Sequence, residues 1–312
     1  MLDLSIVIVN WNAGDFLQNC LHSIYEQTTG IAFEVLMVDN GSTDGSPEMV
    51  ENCFPRVQLI RNRQNVGFAK ANNQAIRASK GKYVLLLNPD TIVLDGALVQ
   101  MVMFLDRHPD IGALGCKILT ADGQIDFRGG RHFPTLWSEF CIHSGLAWLF
   151  PTSERFGGHL MSYWDHEDSR EVDLLVGACI MVRRDVIYHV GLMDEDFFMY
   201  ADDVEWCYRI KQVGWKVFYY ADAAIVHLGE GSVRFAKSPI RIEGLRSMNL
   251  FFAKHYGRLS AWVHKSLLLF LAIAKLLFFG SKFLLIRDAG KRGWLWEKIR
   301  LHWRVLQWSF VS

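Results

Sequence analysis

The first ninety residues of the chain alternate between two hydrophobic periods. Residues 15–26 and 67–79 place apolar side chains at helical spacing. Short apolar runs typical of buried strands flank these segments, at residues 4–9, 33–40, 57–62 and 82–88. Strands that alternate with helices over short links indicate a parallel sheet covered by helices on both faces. The pattern therefore predicts an α/β fold whose ligand site lies beyond the carboxyl ends of the strands.

The alternation continues further along the chain, with one gap. The turn cluster that follows residue 39 predicts a helix capped by Ser42 or Thr43. Residues 120–170 are rich in aromatic residues, glycine and histidine and follow no clear period. Elsewhere the pattern predicts helices at 97–108 and 202–213, strands at 111–119 and 214–219, and a strand running into a helix at 171–187. It also predicts a strand from 223 that ends at His227 and is followed by a Gly-rich loop up to residue 232.

The C-terminal stretch changes character. Residues 259–286 approach the roughly 20 apolar residues that a bilayer span needs, but three lysines, Lys265, Lys275 and Lys282, interrupt them. At about 100° per residue these lysines form one stripe, so the predicted helix is amphipathic. After position 253 there are eleven Lys and Arg residues and two acidic residues, so this stretch is basic and the rest of the chain acidic.

This charge asymmetry predicts a basic helical region, residues 239–312, that lies on an anionic membrane surface. One alternative is that the helix packs on the body of the protein or on a second copy of the chain. The other is a true transmembrane span.

Composition narrows the class of protein. At 312 residues and 51% hydrophobic content, the chain is long enough for one large α/β domain with an appendage and too apolar to be disordered. Six cysteines occur without a C-x-x-C pair, which argues against a disulfide framework or a zinc site. The N-terminus lacks the basic and long apolar regions of a signal peptide, so we expect the body to stay in the cytosol.

Polar side chains occur where the predicted strands end. They are Asn10, Asn12, Asp39, Asn62, Asn88 and Asp90. Because the carboxyl ends of parallel strands meet at one edge of a sheet, this rim predicts a nucleotide-type ligand. Asp90 and His227 also make a candidate site for Mg²⁺ or Mn²⁺, since these cations share oxygen ligands with substrate phosphates. The plainer alternatives are a turn role for Asp90 and a core role for His227.

A second acidic cluster begins a predicted helix. Asp202 and Asp203 lie at its N-terminus, where the helix dipole is expected to keep carboxylates ionised. Adjacent side chains face different directions, so one can cap the helix while the other faces the cleft as a general base. An ordinary pair of capping residues is the alternative.

Seven segments occur in an order that resembles a known enzyme family. They are SIVIVNWN, VDNGSTDGS, NVGFAKANNQAI, LLLNPDT, GACIMVRRDV, DEDFFMYADDVEWCYRIKQVGW and IVHLGEGS. Over about residues 3–235 the chain resembles the family-2 inverting glycosyltransferases of the GT-A fold. Within that family it most resembles the bacterial branch that contains rhamnosyltransferases. The resemblance implies a GT-A type catalytic domain at residues 1–238, with a mostly parallel sheet and helices on both faces. The amphipathic region at 239–312 follows it.

The resemblance also assigns roles to residues. It makes Asp203 the catalytic base and Asp90 with His227 the metal ligands, and it places Asn88-Pro89-Asp90 where the family has a D-x-D motif. Asn88 departs from that motif and removes one negative charge. Asp202, Tyr200 and Trp206 are expected to line the acceptor pocket, with core packing as the alternative for the aromatic residues. The implied nucleotide and donor-binding residues are Val9, Asn10, Asn12, Asp39, Gly41, Asn65, Gly67, Asn72, Asn88 and Asp90.

The reaction implied is transfer of a sugar to a hydroxyl of a lipid-linked glycan in bacterial surface polysaccharide synthesis. The first donor to consider is dTDP-rhamnose, then a UDP-sugar, with Mg²⁺ or Mn²⁺ as cofactor. We expect a peripheral or monotopic protein at the cytoplasmic face of the inner membrane, as a monomer or an oligomer. Nucleic acid is not expected as a partner, because the basic charge lies on an apolar helix.

Two other function classes remain to be weighed. A sugar-phosphate nucleotidyltransferase would need a Gly-rich basic signature near the N-terminus, and the stretch VIVNWNAGDFLQ lacks it. A non-catalytic nucleotide-sugar-binding module is the other alternative.

Overall fold

A computed structural model describes residues 2–229, 239–286 and 288–311. Beyond Gly229, the Gly-rich loop predicted at residues 228–232 lies outside the described residues, as does the predicted boundary at residue 238. The strands are β1 (Leu4–Asn10), β2 (Phe33–Asp39), β3 (Val57–Arg61), β4 (Tyr83–Leu87), β5 (Thr91–Val93), β6 (Ile111–Leu119), β7 (Gly130–Arg131), β8 (Arg170–Val172), β9 (Leu174–Leu175), β10 (Cys179–Arg183) and β11 (Lys216–His227). The helices are α1 (Gly14–Gln27), α2 (Ser46–Cys53), α3 (Phe68–Ala78), α4 (Ala97–Arg107), α5 (Leu136–Ser144), α6 (Leu146–Leu149), α7 (Glu154–Gly157), α8 (Arg184–Val190), α9 (Asp202–Gln212), α10 (Pro239–His255), α11 (Gly257–Leu285) and α12 (Ala289–Val311).

Nine of the strands form one mixed sheet in the order β3-β2-β1-β4-β10-β6-β11-β5, with β8 paired to β11. Strands β1 to β4, β6 and β11 point one way, and β5, β8 and β10 point the other. Strand β4 is central, parallel to β1 and antiparallel to β10, which explains why all five of its residues are buried. The predicted α/β fold with a mostly parallel sheet is confirmed.

Helices cover both faces of the sheet. Residues at alternate positions of β1, including Ile6 and Ile8, join one buried core with α1 and α4. Helix α3 packs against β1 and β2 and is absent from that core, so it covers the opposite face. Its buried side chains include Ala71 and Ala75, whose small size lets a helix lie close to a sheet.

Three local predictions are wrong. The helix after β2 is not capped by Ser42 or Thr43, because it starts at Ser46 behind Gly45, which has a φ of +80°. The two strands expected at 214–219 and 223–227 are one strand, β11, with a register shift between Tyr220 and Ala224. The short strand β5 was not predicted, since its three residues follow a proline turn and show no period of their own.

The chain divides into two compact units. Unit 1 comprises Met1–Phe133 and His159–Phe235, and unit 2 comprises Pro134–Gly158 and Ala236–Ser312. The segment that sequence patterns could not interpret is therefore shared between them: its β7 pairs with β9 in unit 1, and its α5 to α7 belong to unit 2. The functional division predicted at residue 238 stays a prediction.

Unit 2 is helical. Helix α11 packs against α5, α10 and α12. A buried polar contact joins α11 to α5. There the imidazole Nε2 of His264 lies 3.3 Å from Glu139 Oε2, and the same ring stacks on Phe252. In the described part of the chain, α11 is the helix long and apolar enough to cross a membrane, by length and composition alone.

We expect the core under α4 to be sensitive to truncation of side chains. Met101 is fully buried and Met103 is 46% exposed on the same helix. Met101→Ala should lower the free energy of unfolding by about 2–5 kcal/mol because it leaves a cavity. Met103→Ala, the matched control, should change it by about 1 kcal/mol or less. Urea denaturation followed by circular dichroism measures both, and equal losses would contradict the packing described.

Candidate active site

The carboxyl ends of β1 and β2 meet through their side chains. Asn10 pairs in register with Asp39, and its amide Nδ2 donates to Asp39 Oδ1 at 3.1 Å and to Ser46 Oγ at 2.7 Å. The other oxygen of Asp39 accepts from the backbone N–H groups of Gly41 and Ser42, at 3.3 and 3.1 Å. The buried Oδ1 of Asn10 has no hydrogen-bond partner among the described residues. Asp39 is thus fixed at the rim with both oxygens hydrogen-bonded within the protein, and its contact with a nucleotide stays a prediction.

Asn40 joins the loop after β2 to the loop after β3. Its Nδ2 donates to Asn65 Oδ1 at 2.9 Å, and its Oδ1 accepts from the backbone N–H of Val66 at 3.0 Å. Asn65 Oδ1 also accepts from the N–H of Gly67 at 2.9 Å. Gly67 has φ 93° and ψ 164°, a conformation almost restricted to glycine, and a Cβ there would lie 2.8 Å from the carbonyl oxygen of Phe198. These contacts bring Gly41, Asn65 and Gly67 to one edge of the sheet.

Three other predicted donor-binding residues lie nearby. Asn12 has a φ of +54°, and its Oδ1 accepts from the backbone N–H of Thr43 at 2.8 Å. Val9 is buried within β1. Asn72 is also buried, and its Nδ2 donates to the carbonyl oxygen of Phe68 one turn earlier in α3, at 3.0 Å. Its role in ligand binding stays a prediction.

The tip of β4 meets the end of β11. Strand β5 pairs antiparallel with β11, with Thr91 opposite His227, and the backbone N–H of Leu228 donates to the carbonyl oxygen of Asp90 at 2.9 Å. His227 Nε2 consequently lies 3.3 Å from Asp90 Oδ1 and 3.4 Å from Asn88 Nδ2. One nonlocal strand pairing therefore brings the predicted metal ligands together.

The donor set fits a divalent cation that is shared with a ligand. A carboxylate oxygen and an imidazole nitrogen converge at this point, and both Asp90 and His227 side chains are largely buried, at 8% and 12% exposure. Among the described residues there is no group of three or more His, Cys, Asp or Glu side chains that could hold a metal ion. A cation here would need further oxygen ligands, which substrate phosphates or water usually supply.

Asp203 and Asp202 occupy different environments at the start of α9. Asp203 is partly exposed, and its two oxygens accept from the backbone N–H groups of Gly177 and Val204, at 3.0 and 2.8 Å. Asp202 is 4% exposed, and its Oδ2 has no hydrogen-bond partner among the described residues. Burial, followed by the charge of Asp203, raises the pKa of Asp202 to about 8.

Two expectations about this helix start are corrected by these contacts. The helix dipole does not keep Asp202 ionised, because the loss of solvation on burial outweighs the dipole. Neither aspartate caps α9, since the N-cap is Ala201, at φ +55°, without a side-chain cap.

Tyr200 and Trp206, the two aromatic residues predicted to line the acceptor pocket, differ in their exposure to solvent. Tyr200 is 39% exposed and has a φ of +66°. Tyr200 and Ala201 are therefore two consecutive non-glycine residues in the left-handed region of backbone conformation, directly before the acidic pair. Trp206 is fully buried, and its indole Nε1 donates to the carbonyl oxygen of Gly191 at 3.1 Å. The structure therefore favours the packing alternative for Trp206.

Sequence reasoning missed charged residues from the segment without a clear period. Arg128 Nε donates to both oxygens of Asp126, at 2.8 and 2.9 Å. Burial raises the pKa of Asp126, but these hydrogen bonds and the nearby His227 outweigh burial and hold that pKa below its usual value. Arg131, at the end of β7, has a buried Nε–H without a partner among the described residues; burial lowers the pKa of its guanidinium, and the nearby Asp203 opposes this. The one signal in the sequence is the arginine-glycine run FRGGR.

Comparison with known proteins identifies the family. A sequence model described as Glycosyl transferase family 2 matches residues 5–191. The chain belongs to glycosyl transferase family 2. The expectation of a glycosyltransferase is thereby confirmed, and the rim built by β1, β2 and β4 lies within the part of the chain that the family model matches.

Curated relatives cover much of the chain. The N-acetylglucosaminyl-diphospho-decaprenol L-rhamnosyltransferase of Mycobacterium tuberculosis is 30% identical over 236 residues, which cover 72% of this chain and 75% of the relative. The O-antigen biosynthesis protein RfbC of Myxococcus xanthus is 28% identical over 236 residues, covering 74% of this chain but 18% of that much longer protein.

A solved structure supports the fold. The mannosyltransferase PcManGT from Pyrobaculum calidifontis, in complex with GDP-Man and Mn²⁺, superposes with a TM-score of 0.58 at 18% identity. The alignment covers 99% of this chain and 86% of the mannosyltransferase. At this identity the likeness concerns the fold alone.

We expect the Gly67 contact to be needed for the shape of the rim. Gly67→Ala should clash with the carbonyl of Phe198, cost about 1–3 kcal/mol and weaken binding of nucleoside diphosphate. Gly30 has a similar φ of +84° but open space around its Cβ position, so Gly30→Ala is a control for backbone strain alone. Thermal unfolding and calorimetric titration measure the two effects. Equal losses in both variants would show that the close approach to Phe198 is unimportant.

Proposed function

We propose that the protein is an inverting glycosyltransferase that moves a sugar from a nucleoside diphosphate to a hydroxyl of a lipid-linked glycan. The observation that carries this proposal is the geometry of one rim. A carboxylate and an imidazole converge 3.3 Å apart at the tip of the central strand, and a second carboxylate, Asp203, is oriented by two backbone N–H groups. The first pair could hold a cation that stabilises the leaving diphosphate. The second carboxylate could take the proton of an acceptor hydroxyl.

Asp203 is the proposed general base. Its oxygens accept only from backbone N–H groups in the described contacts, so the carboxylate can take a proton from an acceptor hydroxyl. The deprotonating oxygen attacks the anomeric carbon from the face opposite the diphosphate, and the configuration inverts in one displacement. Asp202, which is buried beside it, and Tyr200 would border the acceptor.

Donor binding is proposed for the rim of β1, β2 and β4. Asp39 would hydrogen-bond the pyrimidine, and the amides of Asn10, Asn65 and Asn88 would contact the nucleotide. Asp90 and His227 would hold Mg²⁺ or Mn²⁺, which supplies stabilisation of the charge that develops on the leaving diphosphate.

The rhamnosyltransferase relative supports dTDP-rhamnose as the first donor to test, and its name includes a diphospho-decaprenol acceptor. A UDP-sugar is the second donor. Both relatives support a role in the synthesis of cell-surface polysaccharide, since one is an O-antigen biosynthesis protein.

Donor turnover tests the reaction. Purified protein with Mn²⁺ and a panel of dTDP- and UDP-sugars should release nucleoside diphosphate from one preferred donor, and EDTA should stop the release. Asp203→Asn should lower the rate by about 10² to 10⁴-fold while leaving the Kd for the nucleotide unchanged. Asp90→Asn should instead weaken Mn²⁺ binding, measured by electron paramagnetic resonance. Binding of a donor without turnover under any condition would favour the binding-module alternative.

The membrane proposal concerns unit 2. Large apolar side chains of α11, among them Trp262, Leu277 and Leu285, are 66%, 71% and 81% exposed. Water disfavours such a surface, and the chain from residue 254 onward carries the basic residues that attract anionic lipid. The apolar run at Trp148 and Leu149, each more than 70% exposed, adds to the same unit. We propose that unit 2 lies on the cytoplasmic face of the inner membrane.

Vesicle co-sedimentation tests this localisation. The protein should bind vesicles with anionic lipid more tightly than zwitterionic ones, and salt should weaken binding. Trp262→Ala with Leu277→Ala and Leu285→Ala should reduce partitioning roughly tenfold or more. Tyr188→Ala, which truncates a side chain that is 75% exposed in unit 1, is the control. If the apolar face instead joins two copies of the chain, the triple variant will change the sedimentation coefficient without changing vesicle binding.

A further inference from the structure

The acidic pair at the start of α9 raises the question of which carboxyl carries the charge. Two ionised carboxylates side by side in a partly buried place repel each other, so ionisation of one disfavours ionisation of the other. Hydrogen bonds from N–H groups favour an ionised carboxylate, and burial favours a protonated one. Asp203 has two such hydrogen bonds, whereas Asp202 is 4% exposed and its Oδ2 has no partner among the described residues.

A cation also distinguishes the two carboxyls. Arg131 ends β7, which pairs antiparallel with β9, with Arg131 opposite Leu174. Two residues after β9, Gly177 gives its N–H to Asp203, so the same short pairing positions both the N–H and the guanidinium. Burial lowers the pKa of the Arg131 guanidinium, and the nearby Asp203 is the first of the charges that oppose this; the buried Nε–H of Arg131 has no partner among the described residues.

We propose that Arg131, with the N–H groups of Gly177 and Val204, keeps the negative charge on Asp203, while Asp202 carries the proton at neutral pH. Arg131 is a positioning residue in this scheme, because it acts on the reaction through Asp203. The inference rests on the proposed role of Asp203 as the base. It explains how a base can stay ionised beside a second carboxyl group.

The other charged and titratable groups around the pair do not replace Asp202 in this role. Glu205 is engaged in an ion pair with Arg209, at 2.7 Å. Burial raises the pKa of the Cys207 thiol to about 12, and burial together with Asp202 raises that of Tyr200. From the segment before β7, the groups that face Arg131 are Asp126 and Arg128, which pair with each other.

The first test uses stability and needs no substrate. A carboxyl whose pKa is raised in the folded state binds more protons there than in the unfolded chain, so it reduces stability as pH rises through that range. The melting temperature of the wild type should therefore fall relative to Asp202→Asn between about pH 4 and pH 8. A constant difference across that range would overturn the assignment of the proton to Asp202.

The second test follows the reaction. Arg131→Gln should move the acid limb of the pH profile of kcat/KM upward by about one pH unit or more, because the variant removes the positive charge near the proposed base. Arg131→Lys should restore the limb in part, and Asp202→Asn should leave its position unchanged. An unshifted limb in Arg131→Gln would overturn the role of Arg131. If the glutamine variant does not fold, comparison of Arg131→Lys with the wild type, together with the Asp202→Asn melting series, decides.

The two failures can be told apart. Absence of turnover in the wild-type protein would count against the proposed function, whereas the melting series would still measure the charge on Asp202. Turnover with a melting difference that does not depend on pH would count against this inference alone.

Discussion

The position of β4 between a parallel and an antiparallel neighbour is the constraint on which the rest of unit 1 depends. Pairing with β1 on one side and β10 on the other buries the strand, and its residues can then be entirely apolar. The chain must leave such a strand at its carboxyl end, where the sheet meets solvent. Polar and charged side chains are consequently concentrated at that end, and Asp90 is fixed there by the next strand.

Backbone N–H groups hold several of the polar side chains at the site that results. Asp203 is oriented by N–H groups of Gly177 and Val204, and the loop that follows β2 is tied through Asn40 to the loop that follows β3. Backbone donors lose no side-chain rotamer freedom when they bind, so they hold a carboxylate at little entropic cost. Ligand groups therefore meet a rim that is already organised.

Local period predicted β1 to β4, α1, α3, α4 and β6, because β1, β2 and β4 are runs of mostly buried residues and each of these helices buries one apolar face. The same reasoning paired Asp90 with His227, since both were expected at strand tips of one sheet. It failed where structure depends on distant partners. Strands β5, β7 and β9 have two or three residues each and are defined only by their pairing with other strands. The raised pKa of Asp202 depends on burial, which residue spacing in the sequence does not reveal.

Unit 2 is assembled from two stretches that lie far apart in the chain. Glu139 of α5 and His264 of α11 are 125 residues apart and are both almost completely buried. During synthesis, α5 emerges from the ribosome well before α11, the helix that covers it. Glu139 therefore stays exposed to solvent until α11 has been synthesised. The helical unit can close only after α11 has been made, when the strands of the sheet have already been synthesised. Any lipid contact made by α11 would then come after synthesis of every strand of the rim.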